Sequence, residues 1–82
     1  MISKIMYFGA SWCGQCQVVK KHLEKVAIPV EKYDVDKDEA LADTYNIQSV
    51  PTLLFVDQEG QFVETKVGAI SLEEITKVIN IK

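Results

Sequence analysis

Short, nearly continuous apolar runs alternate along the chain with segments whose apolar positions recur every three or four residues. Ile2 to Phe8 is predicted as a first strand. Its end, Ile5-Met6-Tyr7-Phe8, is apolar without a break, as in a strand covered on both faces. Gly9-Ala10-Ser11 interrupts that run. From Gly14 to Ala27 the period becomes helical, with Val18, Val19, His22, Leu23 and Val26 on one face. Gln17, Lys20, Lys21, Glu24 and Lys25 occupy the other face, and Pro29 is expected to end the helix. Val30 to Val35 reads as a second strand. Asp36-Lys37-Asp38-Glu39 has the form of an acidic cap with Glu three residues on, opening a short helix through Leu41 to Tyr45. Thr52 to Val56 is a third strand, apolar throughout and expected near the sheet centre. Asp57-Gln58-Glu59-Gly60 is a turn, and Phe62 to Val67 returns as a fourth, antiparallel strand. Ser71-Leu72-Glu73-Glu74 is a capping box, and Leu72, Ile75, Val78 and Ile79 form the stripe of a last helix. The order βαβαββα predicts an α/β fold with one mixed four-stranded sheet flanked by three helices.

The 82 residues suit a single domain over 1–82, and 48% hydrophobic residues are enough for a core. Nine Lys plus Arg against twelve Asp plus Glu give a net charge of −3. With no basic run to interrupt that balance, nucleic acid is not an expected partner. The longest apolar stretch, Val50 to Val56, has seven residues, against roughly 20 for a membrane span, so no membrane partner is expected. Met1 to Phe8 has one Lys and no signal-peptide pattern, which makes the cytoplasm the expected compartment.

The two cysteines change the picture more than the averages do. They stand together as Cys13-Gly14-Gln15-Cys16, between a buried strand and an amphipathic helix. As a staple, so short a ring contributes only about 2 kcal/mol on the chain-entropy estimate, and cytosolic thiols are kept reduced. As chemistry the placement is informative. Cys13 at the start of a helix meets unpaired N–H groups and the positive end of the dipole, which favour a thiolate, the nucleophile of disulfide exchange. Cys16, one turn on, can attack the mixed disulfide that Cys13 forms and release the reduced substrate. Zinc needs about four ligands in a structural site. Only His22 could join the two thiols, and it projects from the opposite side of the helix from Cys13. A site shared between two chains is therefore the one form left to a metal, and none is assigned. Inert packing is the bland alternative for such a pair; the helix-start placement argues against it.

Three separated segments carry a resemblance to the thioredoxin family that covers nearly the whole chain. Ala10-Ser11-Trp12-Cys13-Gly14-Gln15-Cys16 resembles the family's active-site segment. Ser49-Val50-Pro51-Thr52-Leu53-Leu54-Phe55 is similar to its cis-proline loop and following strand, and Thr65-Lys66-Val67-Gly68-Ala69 to its glycine turn. The resemblance implies a thioredoxin-like fold, Cys13 as the attacking and Cys16 as the resolving cysteine, and a cis bond before Pro51. It also implies a shallow groove lined by Trp12, Val50, Pro51, Val67, Gly68 and Ala69, where the Val50 backbone pairs with an extended substrate. Gly14, Gln15, Lys32 and Tyr7 are the supporting positions. The implied partners are a flavoprotein of the thioredoxin-reductase type and disulfide-containing protein substrates. The implied form is a monomer with no cofactor beyond the redox-active cysteine pair.

The chain departs from the family pattern in four places. It begins directly with the strand leading to the cysteines, as glutaredoxins do. The helix after Cys16 is trimmed. Gln15 stands where thioredoxins carry proline. Tyr7 stands where they carry a buried aspartate that assists proton transfer at the resolving thiol. A phenol, with an ordinary pKa near 10, is a poor general base at neutral pH. Lys32 matches the family's neighbouring lysine, and Asp34, two residues on, is a weak substitute for the missing carboxylate; a solvated charge at the strand end is the preferred reading. Rival functions are a glutathione-linked glutaredoxin-like reductant, a dedicated electron donor to an enzyme such as a ribonucleotide reductase, and a binding subunit whose cysteines are idle.

Overall fold

The computed structural model describes residues 1–81, with side chains described through Asn80. The elements follow in the order β1 (Ile2–Gly9), α1 (Gly14–Leu23), β2 (Val30–Asp34), α2 (Glu39–Thr44), β3 (Thr52–Asp57), β4 (Phe62–Val67) and α3 (Leu72–Ile81). The four strands form one sheet in the order β2-β1-β3-β4. β1 runs parallel to β2, with Tyr7 opposite Lys32, and antiparallel to β3, with Tyr7 opposite Leu53. β3 and β4 form an antiparallel hairpin. This is the mixed sheet that the βαβαββα order implies.

Strand alternation divides the core between the two sheet faces. Ile5, Tyr7, Leu53 and Phe55 face one way and pack with Cys16, Val19 and Leu23 of α1 and Ile75 and Val78 of α3. Met6, Phe8, Leu54 and Val56 face the other way, where Leu41, Tyr45 and Ile47 cover them. β1 and β3 are the inner strands. Their central positions, Ile5 to Phe8 and Leu53 to Val56, are therefore apolar without a break, whereas β4, on an edge, exposes Phe62, Val63 and Val67.

Two local expectations are corrected. α1 ends at Leu23 rather than Ala27. Beyond it the chain tightens into i→i−3 bonds, Lys25 N–H to His22 C=O and Val26 N–H to Leu23 C=O. It must turn there, because the Pro29 carbonyl is already engaged by the Ile5 N–H of β1. Val18 is 52% exposed, since the buried stripe runs through Cys16, Val19 and Leu23 instead. The second correction concerns Asp36, which does not cap α2. The helix begins after Asp38, whose carboxylate accepts from the Asp34 N–H instead. At α3, Ser71 Oγ does accept from the Glu74 N–H, as the capping box requires.

Candidate active site

β1 delivers the chain to the cysteines and α1 begins on them. Ala10 turns the backbone, its carbonyl accepting from the Cys13 N–H at 3.2 Å. Cys13 then serves as the N-cap of α1, with extended backbone (φ −95°, ψ 111°). Its Sγ accepts the Cys16 N–H at 3.2 Å, which occupies one of the donors a helix start leaves open. The two Sγ atoms are joined as a disulfide, with Cα atoms 5.3 Å apart. The pair is unequal. Cys13 is half-buried at the rim, whereas Cys16 lies in the core with no exposed surface.

Trp12 stands beside the disulfide, 69% exposed, so it is no core aromatic. Its indole Nε1–H donates to the Asp36 carboxylate at 2.8 Å. That bond orients a large apolar ring in the open. With Val35, Ile47, Gln48, Ser49 and Val50, Trp12 lines a recess of about 420 Å³. The Val50–Pro51 peptide is cis, Pro51 is buried, and its carbonyl accepts the Gly68 N–H at 2.8 Å. Gly68 has φ +94°, a conformation that favours glycine, and it ties the end of β4 to the proline loop. Val67, 60% exposed, lines a neighbouring recess that shares Ile47, Gln48 and Ser49 with the first. Ala69 is exposed beside it, and so are Gly14 and Gln15 at the start of α1.

Tyr7 and Lys32 lie elsewhere. They line a separate pocket of about 220 Å³ with Gly9, Gln17, Lys20 and Asp34, on the flank of α1. Tyr7 is buried, and its hydroxyl donates to the Cys16 carbonyl at 3.3 Å. Burial first, and then the nearby Asp34 charge, push this phenol above its ordinary pKa, so it stays protonated. Asp34, half-buried at the end of β2, lines that same pocket, and its Oδ1 accepts from the Asp36 N–H at 2.8 Å. His22 is half-buried too, and its Nδ1–H donates to the Ile70 carbonyl at 3.2 Å. Among the described residues no group of three or more His, Cys, Asp or Glu is placed to hold a metal.

The family model described as Thioredoxin matches residues 2–81. The chain belongs to the thioredoxin family. It is 37% identical over 79 residues to the thioredoxin of Listeria monocytogenes, covering 89% of this chain and 76% of that one. The Bacillus subtilis thioredoxin is 34% identical over 79 residues, with 89% and 75% covered. A solved mutant thioredoxin from Halobacterium salinarum superposes with a TM-score of 0.85 at 33% identity, over 94% of this chain and 71% of that one. As a member of this thioredoxin family the protein is a thiol–disulfide oxidoreductase, and the Cys13–Cys16 pair is its redox centre.

Sequence reasoning missed three residues that line the recess beside Trp12. Val35 enters it just after β2, and Ile47 and Gln48 enter from the loop before Pro51, next to Ser49 of the proline-loop segment. Nothing in the spacing of these three marks them. Asp36 carried a signal, an acidic residue past a strand end, but helix capping was the more ordinary use for it. The partner that claims it, Trp12, is 24 residues away.

Proposed function

We propose that the protein reduces protein disulfides by dithiol exchange, with Cys13 attacking and Cys16 resolving. The observation that carries this reading is the unequal setting of the two sulfurs. One is at the rim, on a helix N-terminus with a backbone N–H directed at it; the other is fully enclosed one turn below. In the reduced protein the Cys13 thiolate attacks one sulfur of a substrate disulfide. A mixed disulfide forms and one substrate thiolate leaves. The Cys16 thiol then loses its proton and attacks Cys13 Sγ, closing the Cys13–Cys16 disulfide and expelling the second substrate thiolate. Two electrons pass to the substrate, and a flavoprotein of the thioredoxin-reductase type returns them, so the cysteine pair needs no other cofactor. Trp12, Val50, Pro51, Val67, Gly68 and Ala69 form the surface on which an extended substrate segment rests, with the Val50 backbone pairing to it. Among the described residues no helix is long and apolar enough to cross a membrane. We place the protein in the cytoplasm as a monomer of one domain, where protein disulfides are substrates to be reduced.

The test couples the protein to an NADPH-driven thioredoxin reductase with a protein disulfide as substrate. Turnover is expected, with complete loss in Cys13→Ser, while Cys16→Ser stalls as a mixed disulfide held on Cys13. Rapid turnover with glutathione and none with the reductase would replace the electron source. Failure of Cys16→Ser to capture substrate through Cys13 would overturn the exchange mechanism.

A further inference from the structure

β1 carries an unusual pairing just before the redox centre. Tyr7 and Gly9 lie on the same face of the strand, two residues apart. A Cβ added at Gly9 would run into the Tyr7 hydroxyl and ring, so the glycine is what allows the phenol to lie along the strand toward α1. Gly9 cannot yield, because its carbonyl accepts the Val35 N–H at 2.9 Å across the sheet. The ring continues to the first turn of the helix, where its hydroxyl meets the Cys16 carbonyl. The two cysteines thus have separate backbone anchors. Cys13 is held by the Ala10 carbonyl and Cys16 by the Tyr7 phenol.

We propose that Tyr7, seated by Gly9, is a positioning residue for the resolving cysteine: it holds the Cys16 backbone so that its sulfur stays aimed at Cys13 after the mixed disulfide has formed. The proposal rests on the exchange reading above. Resolution is the step that needs such a hold. In the mixed disulfide, as in the reduced protein that formed it, no Cys13–Cys16 bond ties the first turn of α1 together. Cys16 Sγ must then form a new bond to Cys13 Sγ while the bond from Cys13 Sγ to the substrate sulfur breaks and the substrate thiolate departs. The initial attack by Cys13 does not pass through this contact. Because the phenol stays protonated, the donor persists across the neutral range. Proton transfer from Cys16 is no part of this role: the hydroxyl is committed to a carbonyl oxygen.

Single-turnover kinetics with a peptide disulfide, quenched by alkylation, separates the two rates. In Tyr7→Phe the ring still fills the space above Gly9, but the donor is gone. Attack by Cys13 is expected within twofold of wild type. Decay of the mixed disulfide is expected to be about fivefold slower, the factor that one net buried hydrogen bond corresponds to. A wild-type protein that resolves normally alongside a Tyr7→Phe variant that resolves at the same speed, or loses both rates in equal proportion, would overturn the positioning role alone. A wild-type protein that forms no mixed disulfide would instead sink the exchange reading. A second arm tests the seat. Gly9→Ala is expected to lower Tm by about 5 °C or more, and to lose most of that effect in a Tyr7→Leu background, where the atoms it would strike are missing. Equal shifts in both backgrounds would show that Gly9 does not serve Tyr7.

Discussion

At the scale of single residues, the site separates roles that the sequence places side by side. Trp12 and Cys13 are neighbours, yet one is bound to the loop after β2 and the other to the start of α1. Tyr7 sits where the family resemblance implies a buried carboxylate, and a phenol cannot take over that proton chemistry near neutrality. What it does instead is donate, and its environment keeps it able to donate. The same environment has a thermodynamic consequence. The folded-state pKa is raised, so the folded protein holds this proton more tightly than the unfolded chain does. That contribution to stability is complete below the ordinary phenol value of about 10 and is lost as pH rises through the folded value. Wild type should therefore lose stability above about pH 10 more steeply than Tyr7→Phe, measured as urea midpoints at a series of alkaline pH values. Parallel curves would mean that Tyr7 titrates alike in both states.

At the scale of elements, α1 shows how a periodic pattern can be right about the helix and inexact about its face. Val18 and Val19 are adjacent and equally apolar, but Val19 is fully buried and Val18 projects outward. The buried face runs through Cys16, Val19 and Leu23 at helical spacing, and Val18 falls one residue off that line. Substituting Val18→Lys should change stability by less than about 0.5 kcal/mol. Val19→Ala should cost roughly 1–3 kcal/mol, because a fully enclosed side chain gives up its apolar burial and leaves a small cavity. Chemical denaturation of the two variants measures both, and a large effect at Val18 would contradict this face assignment. α2 makes a related point. Its predicted cap, Asp36, is taken by Trp12, and the helix starts two residues later with no side-chain cap of its own.

At the scale of the whole molecule, the redox centre depends on a sheet that is apolar on both faces. Phe55 is completely buried on the α1–α3 face, in the same cluster as Cys16 and Tyr7. Truncating such a residue costs about 3–5 kcal/mol, against a total of about 4–12 kcal/mol at the usual stability per residue. Phe55→Ala should therefore remove between about a quarter and all of the protein's stability, lowering its urea midpoint accordingly. Circular dichroism would report the loss of structure, with reductase-coupled turnover falling in proportion although both cysteines remain. Full activity in an unfolded variant would show that the fold is dispensable to the exchange.

The sequence by itself determined the seven elements, their order, the mixed sheet and the two cysteines at a helix start. Each of these is written in local signals: runs of apolar residues, helical periodicity, turn residues and a four-residue motif. Tertiary structure alone decided the rest, because the rest depends on residues distant in the chain meeting in space. Asp36 could not be assigned to Trp12, nor Ile47 and Gln48 to the recess, before β1 and β2 were paired and the loop before Pro51 was folded against them. The meaning of Gly9 was likewise hidden. Read along the chain it breaks a strand; in the folded protein it makes room for the phenol that reaches the buried cysteine.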